Sequence, residues 1–536
     1  SSHFRSKNPV KRTRSSAQNI LIPAPSMTIA AASPTKQSTS VTSLLSMLVK
    51  YWSLMLGNIL EWYEFAIYGY LEEPLKQHFF QGSTVATWLG FAVTFVARPL
   101  GATIFGAIGD PFGRKVSVNY SILGMLLGTV GQGLVPTYAN GNVLGTIGLI
   151  SLTLLRLIQG LCTGGEISAI SVYLAEVSPP GMLGRATSLI AVTLGVGFLS
   201  ALALVLLLTR AMGEESMMDW GWRLPFVFAL LPGIVAILGR RSLHETPAFL
   251  AENADNVNVG DAEAPQEPGQ ADACTPSVKH VVSSASAPAA RSFFRANGAG
   301  LLLGIGAVIS ASFMQYIGFV WTTSYLKSSG MAAHQAELAG VVSNVVRILL
   351  TVPMGWFADV QGVGAATAVG AGILALCGLP LFTVLHLHPT NLTAVMLSYG
   401  LGYGFVGAMS YTTTFLFVVE LFPTKVRNIA VGMAYNIGFA IFGGFGPAMA
   451  EASLTLSPLG PGILLSASGF VTVATIIVGL FLQRGGKVQM AHIRMEPYFG
   501  TCWSMAKEVS GTPKMAASKS GLPTQQAEAT EVTQAL

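Results

Sequence analysis

Two stretches of this chain answer each other: RPLGATIFGAIGDPFGRK, Arg98 to Lys115, and RILLTVPMGWFADVQGVG, Arg347 to Gly364. Arg98, Gly106, Asp110 and Gly113 in the first match Arg347, Gly355, Asp359 and Gly362 in the second at a constant offset of 249 residues. Four identities at one spacing point to a duplicated unit. In each copy an apolar run is followed by glycines, which permit tight turns and close approach, around an aspartate that can accept from helix N-termini or basic groups.

The surrounding composition says what medium the duplicated unit lives in. Of 536 residues 51% are hydrophobic and 10% charged, with a mean hydropathy of +0.57, where a soluble domain carries about 25% charged residues. Apolar runs of about 20 residues, the length that spans a hydrocarbon core, occur twelve times, at 50–72, 85–108, 116–136, 143–174, 187–209, 224–240, 298–326, 335–358, 364–385, 392–420, 428–451 and 461–483. With both termini on the cytoplasmic side, 23 of the 30 Lys and Arg residues fall in inner segments and only Lys76, Arg210, Arg223 and Lys327 in outer loops. That bias is the expected one. The net charge of +5 is therefore a topology signal, and no nucleic-acid partner is expected. The four cysteines, Cys162, Cys274, Cys377 and Cys502, have no metal or disulfide spacing, and no phosphate-binding glycine loop is present. Neither cofactor, metal nor ATP is expected, and the chain does not read as an enzyme.

The chain divides into five parts. Residues 1–49, basic and free of Asp and Glu, read as a disordered N-terminal tail, with an organelle transit peptide as the alternative. Residues 50–241 form the first six helices. Residues 242–296 are rich in Ala, Pro, Ser and Gly and carry six carboxylates between Glu252 and Asp272 with no Lys or Arg; they read as a flexible cytoplasmic linker. Residues 297–483 form the second six helices, and 484–536 a disordered tail. The fold class is an all-α membrane protein of twelve transmembrane helices in two pseudo-symmetric six-helix bundles, with a site at their interface near mid-membrane.

At this point the sequence resembles the major facilitator superfamily. GAIGDPFGRK, Gly106 to Lys115, is similar to the loop 2/3 motif Gly-x3-Asp-(Arg/Lys)-x-Gly-Arg-(Arg/Lys), and RLIQGLCTGG, Arg156 to Gly165, to the fourth-helix motif Arg-x2-Gln-Gly. GNILEWYEFAIYGYL, GWRLPF and YNIGFAIFGGFGP resemble the metabolite:proton symporter branch, whose carriers take 2-oxoglutarate, citrate, dicarboxylates, shikimate or proline and betaine. The chain departs from the pattern at Pro111, in place of the usual basic residue, at Glu64, in place of the usual Asp, and at Val363 and Gly364, which replace the basic pair in the second copy. The resemblance implies proton-coupled symport of a small organic acid or zwitterionic osmolyte by alternating access. A uniporter or exchanger, or a receptor on the same scaffold, is the alternative. It implies a monomer in the plasma membrane, with an organellar membrane as the alternative, and small-molecule substrate, proton and lipid bilayer as the partners.

Charges at bilayer depth are costly and mark pathways or partners within the bundle. Six stand out, Glu61, Glu64, Arg98, Arg156, Glu166 and Arg347, and formally they cancel. Glu61 and Glu64 share a helix face, so that two ionised carboxylates repel and a proton on one of them is favoured; with Glu166 they are the proton-coupling candidates. Arg156 lies near the depth of Glu61, and its guanidinium suits a carboxylate of the protein or of a substrate. A glutamate that releases Arg156 on protonation is a simple coupling device; a static packing pair is the competing reading. Gln159, Tyr316, Tyr411 and Asn436 join Arg156 as substrate-binding candidates, although aromatic residues in such helices usually serve packing. Arg98, Gly106, Asp110, Gly113, Arg114, Arg347 and Asp359 read as a gate latch. Glu176 with Arg185, and Glu420 with Lys425 and Arg427, read as inner-surface networks, and Gly443 to Pro447 as a hinge.

Overall fold

The computed structural model describes residues 40–112, 114–164, 166–178, 181–240, 287–423, 426–484 and 488. The expected tail over 1–39, the linker up to residue 286 and, apart from Val488, the tail beyond Arg484 lie outside them, as do Gly113, Lys425, the surroundings of Gly106 and the side chains of Asp110, Arg114 and Glu176. All regular structure among the described residues is helical. Ser40–Lys50, within the expected tail, is itself a helix, and helical structure resumes at Ala287, within the expected linker.

Each of the twelve segments read from the sequence corresponds to a long helix: α1 (Trp52–Tyr70), α2 (Thr84–Phe112), α3 (Arg114–Leu134), α4 (Asn142–Thr163), α5 (Leu183–Met212), α6 (Arg223–Gly239), α7 (Phe293–Ser328), α8 (Ala333–Gln361), α9 (Val363–Leu387), α10 (Leu392–Glu420), α11 (Arg427–Leu456) and α12 (Gly460–Arg484). Among the described residues nine are long and apolar enough to cross a membrane alone, and α6 taken together with the short helix Glu214–Gly221, from which it is bent by 62°, makes a tenth. The other two are α1, which carries Asn58, Glu61 and Glu64, and α3, which opens on Arg114 and Lys115. The repeat extends to the helix ends: α2 and α8 are both 29 residues long, and both ends are related by the same offset of 249.

Lipid inverts the usual arrangement. Val143, Leu231, Leu302, Leu349 and Leu376 are exposed while Glu61, Arg98, Arg156 and Arg347 are buried, because only the helix exteriors meet hydrocarbon and polar groups must be satisfied inside. Small residues let the helices approach. A Cβ on Gly101 of α2 would lie 1.9 Å from the Leu161 carbonyl oxygen of α4, and one on Gly160 would lie 2.0 Å from that of Thr94. Gly160 and Gly164 supply the four-residue small-residue spacing that such contacts use. Helices α1–α6 and α7–α12 form the two halves, which meet along α5 with α8, α2 with α11, and α1 with α7.

The halves touch at both faces. On the face read from sequence as outer, Tyr70 donates to the Phe319 carbonyl (3.3 Å) and Ser324 to Glu72 Oε2 (2.5 Å). On the opposite face Asp359, at the end of α8, accepts from the Gly184 and Arg185 amides (2.5 and 3.2 Å) and from Arg185 Nε (2.7 Å) at the start of α5. Gly362 follows with φ +92°, a left-handed turn that glycine adopts without strain and that ends α8. Arg185 thus pairs with Asp359 across the halves; the side chain of Glu176, the partner read from the sequence, lies outside the described residues.

Each closure yields an expectation. A Cβ on Gly355 of α8 would sit 2.6 Å from the Gly184 carbonyl oxygen and 2.8 Å from Ser188 Cβ, whereas one on Gly372 meets nothing within 4 Å. Gly355→Val should lower the melting temperature in detergent by the equivalent of about 1–3 kcal/mol, and Gly372→Val should not. At the other face, burial pushes the Glu72 carboxyl up, against the opposing pull of Ser324 and Lys76, with Glu73 and Glu451 adding to the rise. The closed structure therefore binds that proton more tightly than the unfolded chain, so its stabilising effect is complete at acid pH and declines as pH rises through the raised value. Glu72→Gln should melt above the wild type near neutral pH, with the gap closing toward about pH 4; a gap independent of pH would contradict this.

Candidate functional site

Three arginines form a layer. Arg98, Arg156 and Arg347 are each the fifteenth residue of α2, α4 and α8, helices that run in one direction, so each lies about 21 Å along its helix. All three, with Glu61, Glu64 and Glu166, are at most 2% exposed, and the contacts at the two faces close the centre from both sides.

Arg98 forms an ion pair with Glu61 and donates through Nε to Thr163 Oγ1 (3.3 Å). Its guanidinium lies 4.5 Å from the Phe65 ring centroid and 5.4 Å from that of Phe95. The Gly101, Gly160 and Gly164 contacts hold α2 against α4 and so bring Thr163 to Arg98. Asn58, one turn before Trp62, donates to Thr193 of α5 (2.6 Å) and accepts from Trp62 Nε1 (3.1 Å), fixing the rotation of α1. Arg98, assigned from the repeat to the gate, is therefore the direct partner of Glu61, the place the sequence suggested for Arg156.

Glu64 and Arg156 meet through an amide. Gln159 Nε2 donates to Glu64 Oε2 (3.3 Å) and to Thr129 Oγ1 (2.9 Å), while its Oε1 accepts from Arg156 Nη1 (3.5 Å) and Gln132 Nε2 (3.3 Å). Arg156 also donates to the Phe91 carbonyl (2.9 Å) and stacks 4.0 Å from the Tyr68 ring. Thr129 and Gln132 were missed by the sequence reading, although two polar residues three apart in an apolar helix were a visible sign.

In the second half Arg347 donates to Gln315 Oε1 and Asn344 Oδ1, both at 2.7 Å. Tyr316 packs among Phe91, Phe95, Phe198 and Phe439, with ring centroids 5.0–6.4 Å apart, so its ring fills the seam between the halves. Tyr411 packs on Phe415 and Phe439. Asn436 donates to the Gly164 carbonyl (2.7 Å), a link between halves. Gln315, Tyr316 and Phe319 lie on a π-helical stretch, Met314–Trp321, a form of helix frequent at functional sites. The expected hinge at Gly443 to Pro447 spans the passage from the π-helical Phe439–Gly444 to the α-helical Gly446–Leu456. Glu166 opens the separate helix Glu166–Val177, where the positive end of the helix dipole favours an acid.

A family model described as sugar (and other) transporter matches residues 40–493. A proline/betaine transporter of Salmonella typhimurium is 31% identical over 403 residues, covering 72% of this chain and 74% of that protein. An alpha-ketoglutarate permease of Escherichia coli is 28% identical over 442 residues, covering 80% and 92%. Among solved structures, a double Trp mutant of XylE superposes with a TM-score of 0.62 at 16% identity over 84% of this chain and 98% of the other. The proton:xylose symporter XylE bound to 6-bromo-6-deoxy-D-glucose gives 0.60 at 17% identity, over 83% and 96%. With its twelve helices, its two halves and its charged centre, the chain belongs to the sugar (and other) transporter family of the major facilitator superfamily, and it is an integral, multi-pass membrane transporter.

Proposed function

We propose that the protein moves a small carboxylate-bearing solute, an organic acid or a zwitterionic osmolyte, together with a proton by alternating access. The observation that carries this reading is the Glu64–Gln159–Arg156 relay beside the Glu61–Arg98 pair. A buried carboxylate facing a guanidinium through one amide is a poised device. Ionised, Glu64 accepts from Gln159 Nε2 and holds the amide oxygen toward Arg156. Protonated, it becomes a donor as well, the amide is free to turn, and Arg156 is left to a carboxylate from outside the protein. Solute and proton then enter together, and for an anionic solute the proton offsets one of its negative charges. The relatives named for proline and betaine and for alpha-ketoglutarate give this class of solute independent support.

Glu61 has a different part. Removing it leaves Arg98 buried without its counter-charge, a change that typically costs about 3–5 kcal/mol, so Glu61→Gln should unfold at a markedly lower temperature or fail to accumulate in the membrane. Glu64→Gln preserves shape and hydrogen bonding but cannot release a proton. In proteoliposomes with an acid exterior, the wild type should concentrate labelled 2-oxoglutarate or glycine betaine. Glu64→Gln should only equilibrate the same solute while still exchanging it. Accumulation by Glu64→Gln at the wild-type level would remove Glu64 from coupling, and a wild type that moves neither solute under any gradient would favour a receptor.

A further inference from the structure

The closure at the outer face brings two carboxylates to one turn of α7. Ser324 and Trp321 lie three residues apart there: Ser324 donates to Glu72 Oε2 (2.5 Å), and Trp321 Nε1 donates to Glu451 Oε2 (3.1 Å). Glu72 opens the short helix Glu72–Phe79 that follows α1 in the first half, and Glu451 belongs to α11 of the second. Closing this face therefore sets an acid from each half on the same turn, and both meet neutral donors. Three residues before Glu72, Gly69 gives α1 room against α7, since a Cβ there would run into Val320 Cγ1.

The cations near the closure are engaged by other acids. Lys76, which also attracts Glu72, pairs with Glu73 on the short helix, and Lys327, three residues beyond Ser324, pairs with Glu337 (2.6 Å). Of the other titratable neighbours, Tyr68 of α1 donates to the Thr87 carbonyl (3.1 Å), Tyr325 of α7 bonds His386 of α9 (3.0 Å), and His78 of the short helix bonds the Met218 carbonyl (2.8 Å). Glu72 is 3% exposed, and its second oxygen, Oε1, is buried with no hydrogen-bond partner among the described residues. A bare carboxylate oxygen in that place has neither a donor nor a cation of its own. A proton on it removes the buried charge, and with it the repulsion from Glu73 and Glu451. Burial accordingly holds the Glu72 carboxyl above its ordinary range.

We propose that Glu72 is a proton-binding site of the outer gate: a proton taken from the solution at that face locks the end of α1 against α7 beside Glu451, and its loss opens the face. With the face open, Glu72 meets water and binds a proton with ordinary affinity; with the face closed, the proton is held more tightly. By linkage, acid solution at that face favours closure, and the preference is lost as pH rises through the raised value. The proton bound on closing returns to the same solution on reopening. It therefore sets how readily the face closes and not how many protons cross, unlike the proton of Glu64, which is proposed to travel with the solute. Such a gate rests on the alternating access proposed above and not on which solute is carried.

Spin labels at Ser83 and Thr455, exposed positions in the first and second halves, test this in the full chain without its four native cysteines. In detergent, the ratio of the long-distance to the short-distance population should rise about tenfold or more between about pH 4.5 and about pH 8. Glu72→Gln keeps the shape and an acceptor for Ser324 but has no proton to lose, and should stay closed at both ends of that range. Ser324→Ala, which removes the donor to the ionised carboxylate, should add opening at about pH 8 and little at about pH 4.5. No rise in the wild type, a wild-type rise in Glu72→Gln, or equal added opening at both pH values in Ser324→Ala overturns the gate. In proteoliposomes Glu72→Gln should still concentrate any solute that the wild type concentrates, in contrast to Glu64→Gln; mere equilibration by Glu72→Gln overturns the separation of gate from coupling. A wild type that concentrates neither 2-oxoglutarate nor glycine betaine counts against the solute reading alone, because the label distances need no solute.

Discussion

The structure depends on compensating three guanidiniums at one depth of a low-dielectric interior. An uncompensated cation there costs several kcal/mol, and the three are met in three ways. Arg98 has a carboxylate, Arg156 a backbone carbonyl and an amide oxygen, and Arg347 two amide oxygens. Each also lies over at least one aromatic face, at 4.0–4.5 Å for the nearest ring, a contact worth about 2 kcal/mol or more when desolvated. The concentration of Phe and Tyr along α1, α2 and α7 and the glycines that bring α2 against α4 follow from this requirement. Loosening the helices would separate the cations from the groups that tolerate them.

The same economy governs the halves. Among the described residues, hydrogen bonds between the halves include Glu72 with Ser324 and Tyr70 with Phe319 at one end, Asp359 with the start of α5 at the other, and Asn436 with Gly164. A net hydrogen bond contributes about 1 kcal/mol and one to a charged group about 1.5–3. Small latches around a buried charged centre are what rocking about a fixed site requires.

Much of this was legible in the sequence. The offset of 249 fixed by Arg98 and Arg347 recurs at the ends of α2 and α8, and hydropathy located the helices because a bilayer imposes their length. What escaped is rotation. Sequence spacing gives depth along a helix, and Arg98 and Arg156 share a depth, so it could not tell which of them faces Glu61. That choice rests on the glycine contacts of α2 with α4 and on the Asn58 to Thr193 bond that turns α1. Contacts between halves escaped for a related reason: Arg185 has acids nearby in sequence, yet Asp359, 174 residues away, reaches it across the seam.

Duplication followed by divergence gives the two halves unequal work. In the first, acids and arginines are mixed, joined directly or through Gln159, and the chemistry available is proton exchange. In the second, the corresponding arginine is surrounded by amides and rings, which neither gain nor lose a proton near neutrality, and its charge is therefore constant through the cycle. A carrier that couples two ligands benefits from this separation. On the proton-coupled reading proposed above, one half would change charge as the proton comes and goes while the other kept a constant charge, so the equilibrium between loaded and empty forms would respond to the proton on one side only.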